Sequence, residues 1–191
     1  MVSDRQTHSD ASEGAAQAAP ERLKAAFRTH VSGVAVITAD AGDGPVGFTA
    51  SSVISVSVRP PTLAFSIVNS ASSAPTILRA ASVVVHLLRG DDVYLADRCA
   101  TSGVDRFADP RTWSRLRSGE PYFPSVRTWI RARPIHRVAL GESTLLVVEA
   151  QEIALAGTRP DRSRAGALAY HDRAWHTVGV HSRVRQHEPG H

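Results

Sequence analysis

The sequence is poor in cysteine and has no long apolar run, and each scarcity excludes a class of protein. Cys99 is the only cysteine among 191 residues, so neither an internal disulfide framework nor a cysteine-based zinc cluster can form. No stretch approaches the roughly 18 apolar residues of a membrane helix. The first twenty residues carry acidic side chains where a signal peptide needs an apolar run. We therefore expect a cytoplasmic protein that does not enter the membrane.

Lysine is also scarce. The net charge is +4, and Lys24 is the only lysine, so arginine supplies almost all of the positive charge. The arginines are scattered and interleaved with acids along most of the chain, whereas a nucleic-acid-binding surface concentrates them. We expect no nucleic-acid partner. The C-terminal tail carries histidines that could bind a metal, but its composition predicts no ordered structure, and we assign no metal site.

Catalytic motifs are missing as well. The sequence contains no G-x-S-x-G elbow, no H-E-x-x-H helix and no phosphate-binding G-x-x-x-x-G-K-[ST] loop. The acids Glu142, Glu149 and Glu152 lie on one predicted hairpin without a spacing that pairs two carboxylates. We therefore assign no catalytic residue. If the chain is an enzyme, a cofactor supplies the chemistry.

The length predicts one domain, which we place at residues 20–179. Residues 1–19 are rich in alanine, serine and glutamine and have no apolar periodicity, which predicts a disordered tail. Residues 180–191 are polar, and we expect a flexible C-terminal tail. A helix is predicted to begin at Pro20.

Strands dominate the predicted domain. β-Branched runs separated by turn residues indicate at least six strands, mostly consecutive, with two or three short helices. The longest two are predicted at 127–140 and 144–155. Consecutive strands of this kind favour an antiparallel barrel over a parallel sheet. His86 falls inside the strand predicted at 83–88, where we expect a buried or edge histidine with its hydrogen bonds satisfied rather than a ligand.

The stretch from Gly47 to Ser73 is the most informative part of the chain. It is apolar and β-branched, yet hydroxyl side chains crowd into it, and Pro60 and Pro61 divide it into two strands. This combination predicts a strand pair whose loop ends present hydroxyls and backbone N–H groups to a flat, anionic ligand. The alternative is a serine-rich antiparallel sheet whose hydroxyls face solvent.

Residues 102–126 form a long irregular segment rich in aromatic side chains. Long loops in compact domains often carry function. We expect the part from Trp113 to Phe123 to close over a site or over a neighbouring subunit.

Several short motifs, in a fixed order, carry a family resemblance. They are Phe27-Arg28, Gly33-Val34, Gly47-Phe48-Thr49-Ala50-Ser51-Ser52, Ser55-Val56-Ser57, Pro60-Pro61, Phe65-Ser66, Asn69-Ser70, Asp105-Arg106-Phe107 and Gly119-Glu120-Pro121. With this order and spacing the chain resembles the short-chain flavin reductases, the reductase components of two-component flavin-dependent monooxygenases, over residues 23–178.

The resemblance implies a fold, a reaction and partners. The fold is a mainly β, six-stranded antiparallel split β-barrel, the FMN-binding split barrel, with a few short helices. The reaction is hydride transfer from NADH or NADPH to FMN or FAD. The expected partners are a second copy of the chain, forming a homodimer, and a monooxygenase that receives the reduced flavin by diffusion.

The resemblance also implies site residues. On the cofactor side these are Phe48, Thr49, Ala50, Ser51, Ser52, Ser66, Ile67, Val68, Asn69, Ser70, Ser73, Arg106 and Phe107. On the nicotinamide side they are Ser143 and Tyr170.

Two departures from the family pattern qualify these expectations. The family commonly has Gly-Asp-His where this chain has Gly141-Glu142-Ser143, so a hydroxyl replaces an imidazole near the nicotinamide. Cys99-Ala100 stands where Phe-Ala is usual. The first departure leaves open a flavin-binding split-barrel protein without reductase activity. A split-barrel enzyme resembling the pyridoxamine-phosphate oxidases is a further alternative, although its phosphate-binding lysines and arginines are not evident.

Overall fold

The structure is a computed structural model that describes residues 18–155 and 165–183. Most of the predicted N-terminal tail (1–19) lies outside the described residues, and 18–19 belong to a helix. The predicted C-terminal tail (180–191) is described only as far as residue 183, and it begins with a 3₁₀ turn at Val180–Ser182.

Strands make up most of the described chain. The helices are α1 over 18–28, α2 at Ala74–Arg79 and α3 at Val93–Ala100, with a 3₁₀ turn at Gly90–Asp92 before α3. The strands are β1 Ser32–Gly33, β2 Ala35–Asp40, β3 Pro45–Ala50, β4 Ile54–Val58, β5 Pro61–Val68, β6 Val83–Leu87, β7 Ser114–Arg115, β8 Pro121–Tyr122, β9 Trp129–Leu140, β10 Ser143–Ala154, β11 Ala167–His171 and β12 Ala174–Val178. The predicted long strands agree with β9 and β10 to within two residues.

The main sheet is antiparallel throughout, with the strand order β3-β2-β6-β9-β10-β5-β4. The mainly β, split-barrel prediction is confirmed. The sheet has seven strands where six were expected, because β4 pairs with β5 as an additional edge strand. Its edges, β3 and β4, are consecutive in the chain but do not pair in the described residues, so the barrel stays open along a seam between them.

Both faces of β2 are buried, which places a separate core on each side of the strand. Ile37 packs with Phe65 and Leu146 in the first core, which α2 covers. Val36 packs with Leu95 in the second core, beneath α3. A strand buried on both faces reads as a continuous apolar run, which is how this segment appears in the sequence.

The turn between β2 and β3, together with the start of β3, has glycines at 42, 44 and 47, which is the G-x-G-x-x-G spacing of a dinucleotide-binding loop. It joins two antiparallel strands and opens no helix, so it lacks the setting that this motif requires. Gly42 and Gly44 both have positive φ, and their N–H groups donate to the Asp40 carboxylate. The glycines here shape a hairpin.

The predicted lid from Trp113 to Phe123 does not lie over an open site. Phe123 is fully buried in the second core, and β7 pairs with β8 to brace the segment. Trp113 donates its indole N–H to the carbonyl of Phe107 at 2.9 Å. This segment is a packed wall, because its aromatic side chains point into the protein.

Helix α1 shows the predicted apolar spacing but buries little of it. Leu23 and Phe27 are more than 60% exposed. The helix is tied to the turn after β11, where Arg28 pairs with Asp172 at 2.7 Å. In the part of the chain that the structure describes, no helix is long and apolar enough to cross a membrane.

Candidate functional site

An open cleft of about 400 Å³ lies at the seam of the barrel. It is bounded by the end of β3, the end of β5 with the loop after it, and the C-terminal end of α3. Ten of the thirteen residues expected on the cofactor side line it: Phe48, Thr49, Ala50, Ser51, Ser52, Ser66, Ile67, Val68, Ser73 and Arg106. The fold therefore brings together segments that are up to about sixty residues apart in the chain.

Two hydroxyls at the end of β3 hold the cleft walls together. Thr49 donates its hydroxyl to the carbonyl of Ala96 in α3 at 2.7 Å. The Ser52 hydroxyl accepts the N–H of Ser66 at 3.0 Å and donates to the Ser66 carbonyl at 3.3 Å. Ser52 thus links the end of β3 to strand β5, which no backbone ladder joins in the described residues.

Ser51 differs from these two residues. It is exposed and lines the cleft as Ser52 does, but its hydroxyl makes no hydrogen bond within the described residues. Because its neighbours in the run already carry the structural hydrogen bonds, Ser51 is the hydroxyl best placed to contact a ligand directly.

The loop after β5 is fixed to the turn between β9 and β10. The Asn69 N–H donates to the carbonyl of Glu142 at 2.8 Å, and Thr144 donates its hydroxyl to the Asn69 side chain at 2.7 Å. Asn69 and Ser70 do not line the cleft itself. Asn69 therefore positions the loop that carries Ser72 and Ser73 into the cleft.

The opposite wall is the end of α3. Arg106 donates its Nε–H to the carbonyl of Cys99 at 3.2 Å and an Nη2–H to the carbonyl of Thr101 at 3.0 Å. These carbonyls belong to the last turn of the helix, where a cation is favoured. The guanidinium is thereby held at the rim of the cleft.

A second, smaller lobe of about 220 Å³ continues past Arg106. Phe107 lines this lobe rather than the main cleft, together with Val46 and Gly47 of β3. The two lobes share Arg106 and the pair Ser72 and Ser73. The junction of the lobes is therefore the most polar part of the site.

The two residues expected on the nicotinamide side lie elsewhere. Ser143 is the first residue of β10, opposite Val68 of β5. Tyr170 lies in β11 and packs on Trp175, with ring centroids 4.8 Å apart. Neither side chain lines the cleft. Ser143 is next to the Asn69 end of the site, whereas Tyr170 belongs to the edge of the second core.

Sequence reasoning did not assign five of the lining residues: Ala71, Ser72, Cys99, Ala100 and Ser102. The Cys99 and Ala100 pair was noted only as a family departure. Cys99, Ala100 and Ser102 reach the cleft because α3 docks on β3, a tertiary contact that no local pattern reveals. Ser72 carried a usable signal, since it lies in the hydroxyl-rich run that predicted the site.

The lining has little acid–base chemistry. Its titratable residues are Arg106 and Cys99, in the part of the chain that is described. Burial raises the pKa of the Cys99 thiol to about 11, so the thiol stays protonated near neutral pH. No group of three or more potential metal ligands comes together within 18–155 or 165–183. The cleft can bind and orient a ligand but offers no general base.

The cleft fits a flavin in size and donor chemistry. Its volume lies in the ~300–1,000 Å³ range of small-molecule sites. Apolar side chains such as Ile67 and Ala71 alternate with hydroxyls, which suits a flat ring with a polar edge. Arg106, Ser72 and Ser73 provide a cation and two hydroxyl donors where a phosphate requires them.

Comparisons with known proteins agree on one family. The family model described as "Flavin reductase like domain" matches residues 27–179. An "NADH:FMN oxidoreductase" of Rhodococcus qingshengii is 40% identical over 154 residues, which cover 78% of this chain and 77% of that protein.

Solved structures show the same fold. The flavin reductase domain protein from Arthrobacter sp. FB24 superposes with a TM-score of 0.76 and 30% identity, covering 89% of this chain and 99% of that one. Nitrilotriacetate monooxygenase component B from Mycobacterium thermoresistibile has a TM-score of 0.75 at 18% identity, covering 90% of this chain and 94% of that one. At that lower identity the likeness concerns the fold alone.

Proposed function

Because the chain belongs to the flavin reductase-like domain family, we propose that it is an NAD(P)H:flavin oxidoreductase that uses NADH and FMN. The observation that carries the proposal is the cleft at the barrel seam. There the Thr49–Ser52 run, the Ser66–Ser73 segment and Arg106 converge on one volume of about 400 Å³. Each of these segments was expected to contact flavin before the fold was known.

The reaction requires little from the protein beyond binding and orientation. A hydride passes from the reduced nicotinamide ring to the flavin ring, and a proton from water completes the reduced flavin, which gives NAD⁺ and FMNH₂. When two rings are held in contact, proximity and orientation supply much of the rate acceleration. This agrees with a cleft whose lining has no general base.

The residues that line the cleft have different roles in binding flavin. Ser51 presents an exposed hydroxyl to the ligand, whereas Thr49 and Ser52 keep the walls in register. Arg106 supplies the cation for the flavin phosphate, held in place by two helix carbonyls. The buried apolar Ile67 provides a surface for the ring.

The choice of NADH and FMN follows the name of the Rhodococcus relative. FAD and NADPH remain alternatives for this chain. The cleft continues into a second lobe of about 220 Å³, so the pocket does not by itself exclude the larger flavin.

The test is an assay of nicotinamide oxidation with purified protein. Wild-type protein should consume NADH in the presence of FMN, and Arg106→Gln should raise the KM for FMN. A matched control is Arg133→Gln, because Arg133 pairs with Glu149 on the sheet and does not line the cleft. No NADH consumption above background with either flavin contradicts the proposal.

A second candidate is a flavin-binding protein without reductase activity. It is favoured by Ser143, where the family commonly has histidine, and which lies beside the Asn69 end of the site. Tight FMN binding without oxidation of NADH or NADPH supports this candidate. If Ser143→His creates activity in a protein that lacked it, the missing imidazole is the reason.

We further propose that the protein is a homodimer. Ile54, Val56 and Val58 of the edge strand β4 are each more than half exposed, and Ile153 of β10 is exposed beside them. An apolar edge strand is a natural surface for pairing with another chain. Light scattering on the eluted protein should give twice the mass of the 20.5 kDa chain, and a monomer at all concentrations contradicts this proposal.

We also propose that the reduced flavin serves a monooxygenase in the cytoplasm. The cleft is open, so a reduced flavin can leave it. The support is the family itself and the shared fold with a monooxygenase component. Stimulation of a flavin-dependent monooxygenase by this protein across a dialysis membrane would show that diffusing flavin is sufficient, whereas a requirement for contact would contradict it.

A further inference from the structure

His86 lies at the centre of the main sheet and has no solvent exposure. Its Nδ1 is 3.0 Å from the carbonyl of Val36, and its Nε2 is 3.1 Å from the backbone nitrogen of Phe123. A backbone N–H can only donate, so Nε2 accepts and the proton is on Nδ1. The ring is therefore a neutral imidazole that joins β2, β6 and the segment after β8.

The neighbouring strand residues show that packing alone does not require a histidine here. Val83, Val84 and Val85 are fully buried and apolar. A buried polar side chain costs stability unless it is hydrogen-bonded. What the imidazole adds over another valine is an acceptor for the buried N–H of Phe123 and a donor to the carbonyl of Val36.

Phe123, which His86 holds by a hydrogen bond, contacts Phe107 in the wall of the second lobe. Its ring stacks on Phe107 with centroids 5.5 Å apart and planes within 15°. The Trp113 ring packs edge-on against the same Phe107 ring, with centroids 5.2 Å apart, and its indole N–H donates to the backbone carbonyl of Phe107. Phe107 is thus clamped between two rings, and one of them is fixed by His86.

Phe107 in turn fixes the residue that lines both lobes of the site. Arg106 is its chain neighbour, and the Asp105 carboxylate accepts the Phe107 N–H at 2.9 Å, which makes a tight turn. This turn sets the point from which the Arg106 side chain leaves the backbone, and the carbonyls of Cys99 and Thr101 then accept the guanidinium at the rim of the cleft.

We propose that His86 is a positioning residue for the flavin site: through Phe123 and Phe107 it holds Arg106 against the cleft. The inference rests on the proposed function, since it assumes that the cleft takes flavin. His86 does not line the cleft, yet its replacement is expected to lower flavin affinity and not only stability.

The experiment compares two variants of adjacent buried residues on β6. His86→Leu removes the acceptor for Phe123, whereas the control Val85→Ala removes methyl groups from the first core, on the opposite face of the sheet. FMN affinity is measured by quenching of flavin fluorescence, and folding is followed by circular dichroism. No NADH is present, so binding is read without turnover.

We expect His86→Leu to weaken FMN binding about tenfold, because a buried N–H without a partner is destabilising and the loop shifts to relieve it. Val85→Ala should bind FMN within about twofold of wild type, although it lowers stability. His86→Gln, whose side-chain oxygen can accept the Phe123 N–H, should recover most of the affinity. If His86→Leu does not fold, His86→Gln and Phe123→Leu carry the test. Phe123→Leu removes the ring that stacks on Phe107 without changing a residue that lines either lobe, and it should also weaken FMN binding about tenfold.

Combining His86→Leu with Phe123→Leu should weaken binding no more than Phe123→Leu alone, since both act on one path. Wild-type affinity in folded His86→Leu, or in folded Phe123→Leu, overturns the inference. An equal loss in Val85→Ala overturns it as well, because the effect is then general to the core. A wild-type protein that binds no FMN overturns the proposed function and this inference together.

Discussion

His86 also determines how the protein responds to acid. Burial lowers the pKa of this histidine from 6.5 to about 4, because the charged imidazolium loses its hydration and its Nε2 already accepts a hydrogen bond. In the unfolded chain the same ring titrates at its ordinary pKa. Between about pH 6.5 and pH 4 the unfolded state therefore binds one more proton than the folded state, and stability falls as the pH falls through this window.

The size of the effect follows from the shift. A difference of about 2.5 pKa units at 1.36 kcal/mol per unit, reduced slightly because the folded state is half protonated at pH 4, gives about 3 kcal/mol. This is a large fraction of the ~5–15 kcal/mol stability of a typical domain.

The measurement is urea unfolding of wild type and His86→Gln at a series of pH values between 7 and 4. Glutamine does not titrate, so the difference in unfolding free energy between the two proteins isolates His86. Other groups cancel in that difference, including the acids whose pKa is lowered, such as Asp40 beside Arg115, and Asp92, whose pKa is raised by burial. Between pH 7 and pH 4, the unfolding free energy of wild type should fall by about 3 kcal/mol relative to that of the variant. A difference that does not change with pH would refute the buried neutral imidazole.

The remaining predictions concern the walls of the cleft. Ser52→Ala should lower the unfolding free energy by about 1 kcal/mol, because its hydroxyl makes two hydrogen bonds to the backbone of Ser66 across the seam; unchanged urea unfolding contradicts this role. Ser51→Ala should leave the unfolding free energy within about 0.5 kcal/mol of wild type and weaken FMN binding about 2- to 10-fold. If Ser51→Ala instead lowers stability and Ser52→Ala instead weakens FMN binding, the roles of the two serines are exchanged. Arg106→Gln should weaken FMN at least tenfold but riboflavin, which lacks the phosphate, by about twofold or less; equal losses for both ligands exclude phosphate recognition. The Cys99 thiol, 2% exposed with its pKa raised to about 11, should resist iodoacetamide at about pH 8 until urea unfolds the chain, and rapid labelling of the native protein argues against its burial.

The parts of the fold that follow local rules could be predicted from the sequence. β-Branched runs marked the strands, and the Pro60-Pro61 pair marked the junction of β4 and β5. The hydroxyl-rich stretch indicated a ligand site before any geometry was known, and its two halves line one cleft. That these residues contact flavin remains a prediction.

The remaining features depend on tertiary packing, which periodicity does not encode. The α3 residues enter the site only because Thr49 holds the helix on β3. The aromatic loop was read as a lid because it is long, irregular and rich in aromatic side chains, yet Phe123 packs into the second core against His86. Ser143 and Tyr170 were placed by resemblance alone, and neither lines the cleft.

The roles of individual hydroxyls were also beyond the sequence. The sequence alone does not distinguish the hydroxyls of Thr49, Ser51 and Ser52 as hydrogen-bond donors. Only the fold shows that Thr49 bonds to α3, Ser52 bonds to β5 and Ser51 faces the cleft. A run of serines therefore predicts a site but does not say which of its members touch the ligand.

The central claim is that this cleft holds FMN where NADH can reduce it. The direct measurement is anaerobic mixing of the purified protein with FMN and NADH while the yellow absorbance of the flavin is followed, with Arg106→Gln measured alongside. We predict that wild type bleaches the flavin with one NADH consumed per FMN, and that Arg106→Gln reaches the same rate only at higher FMN concentration. Flavin that stays yellow with both NADH and NADPH, in a protein that binds it, would contradict the claim.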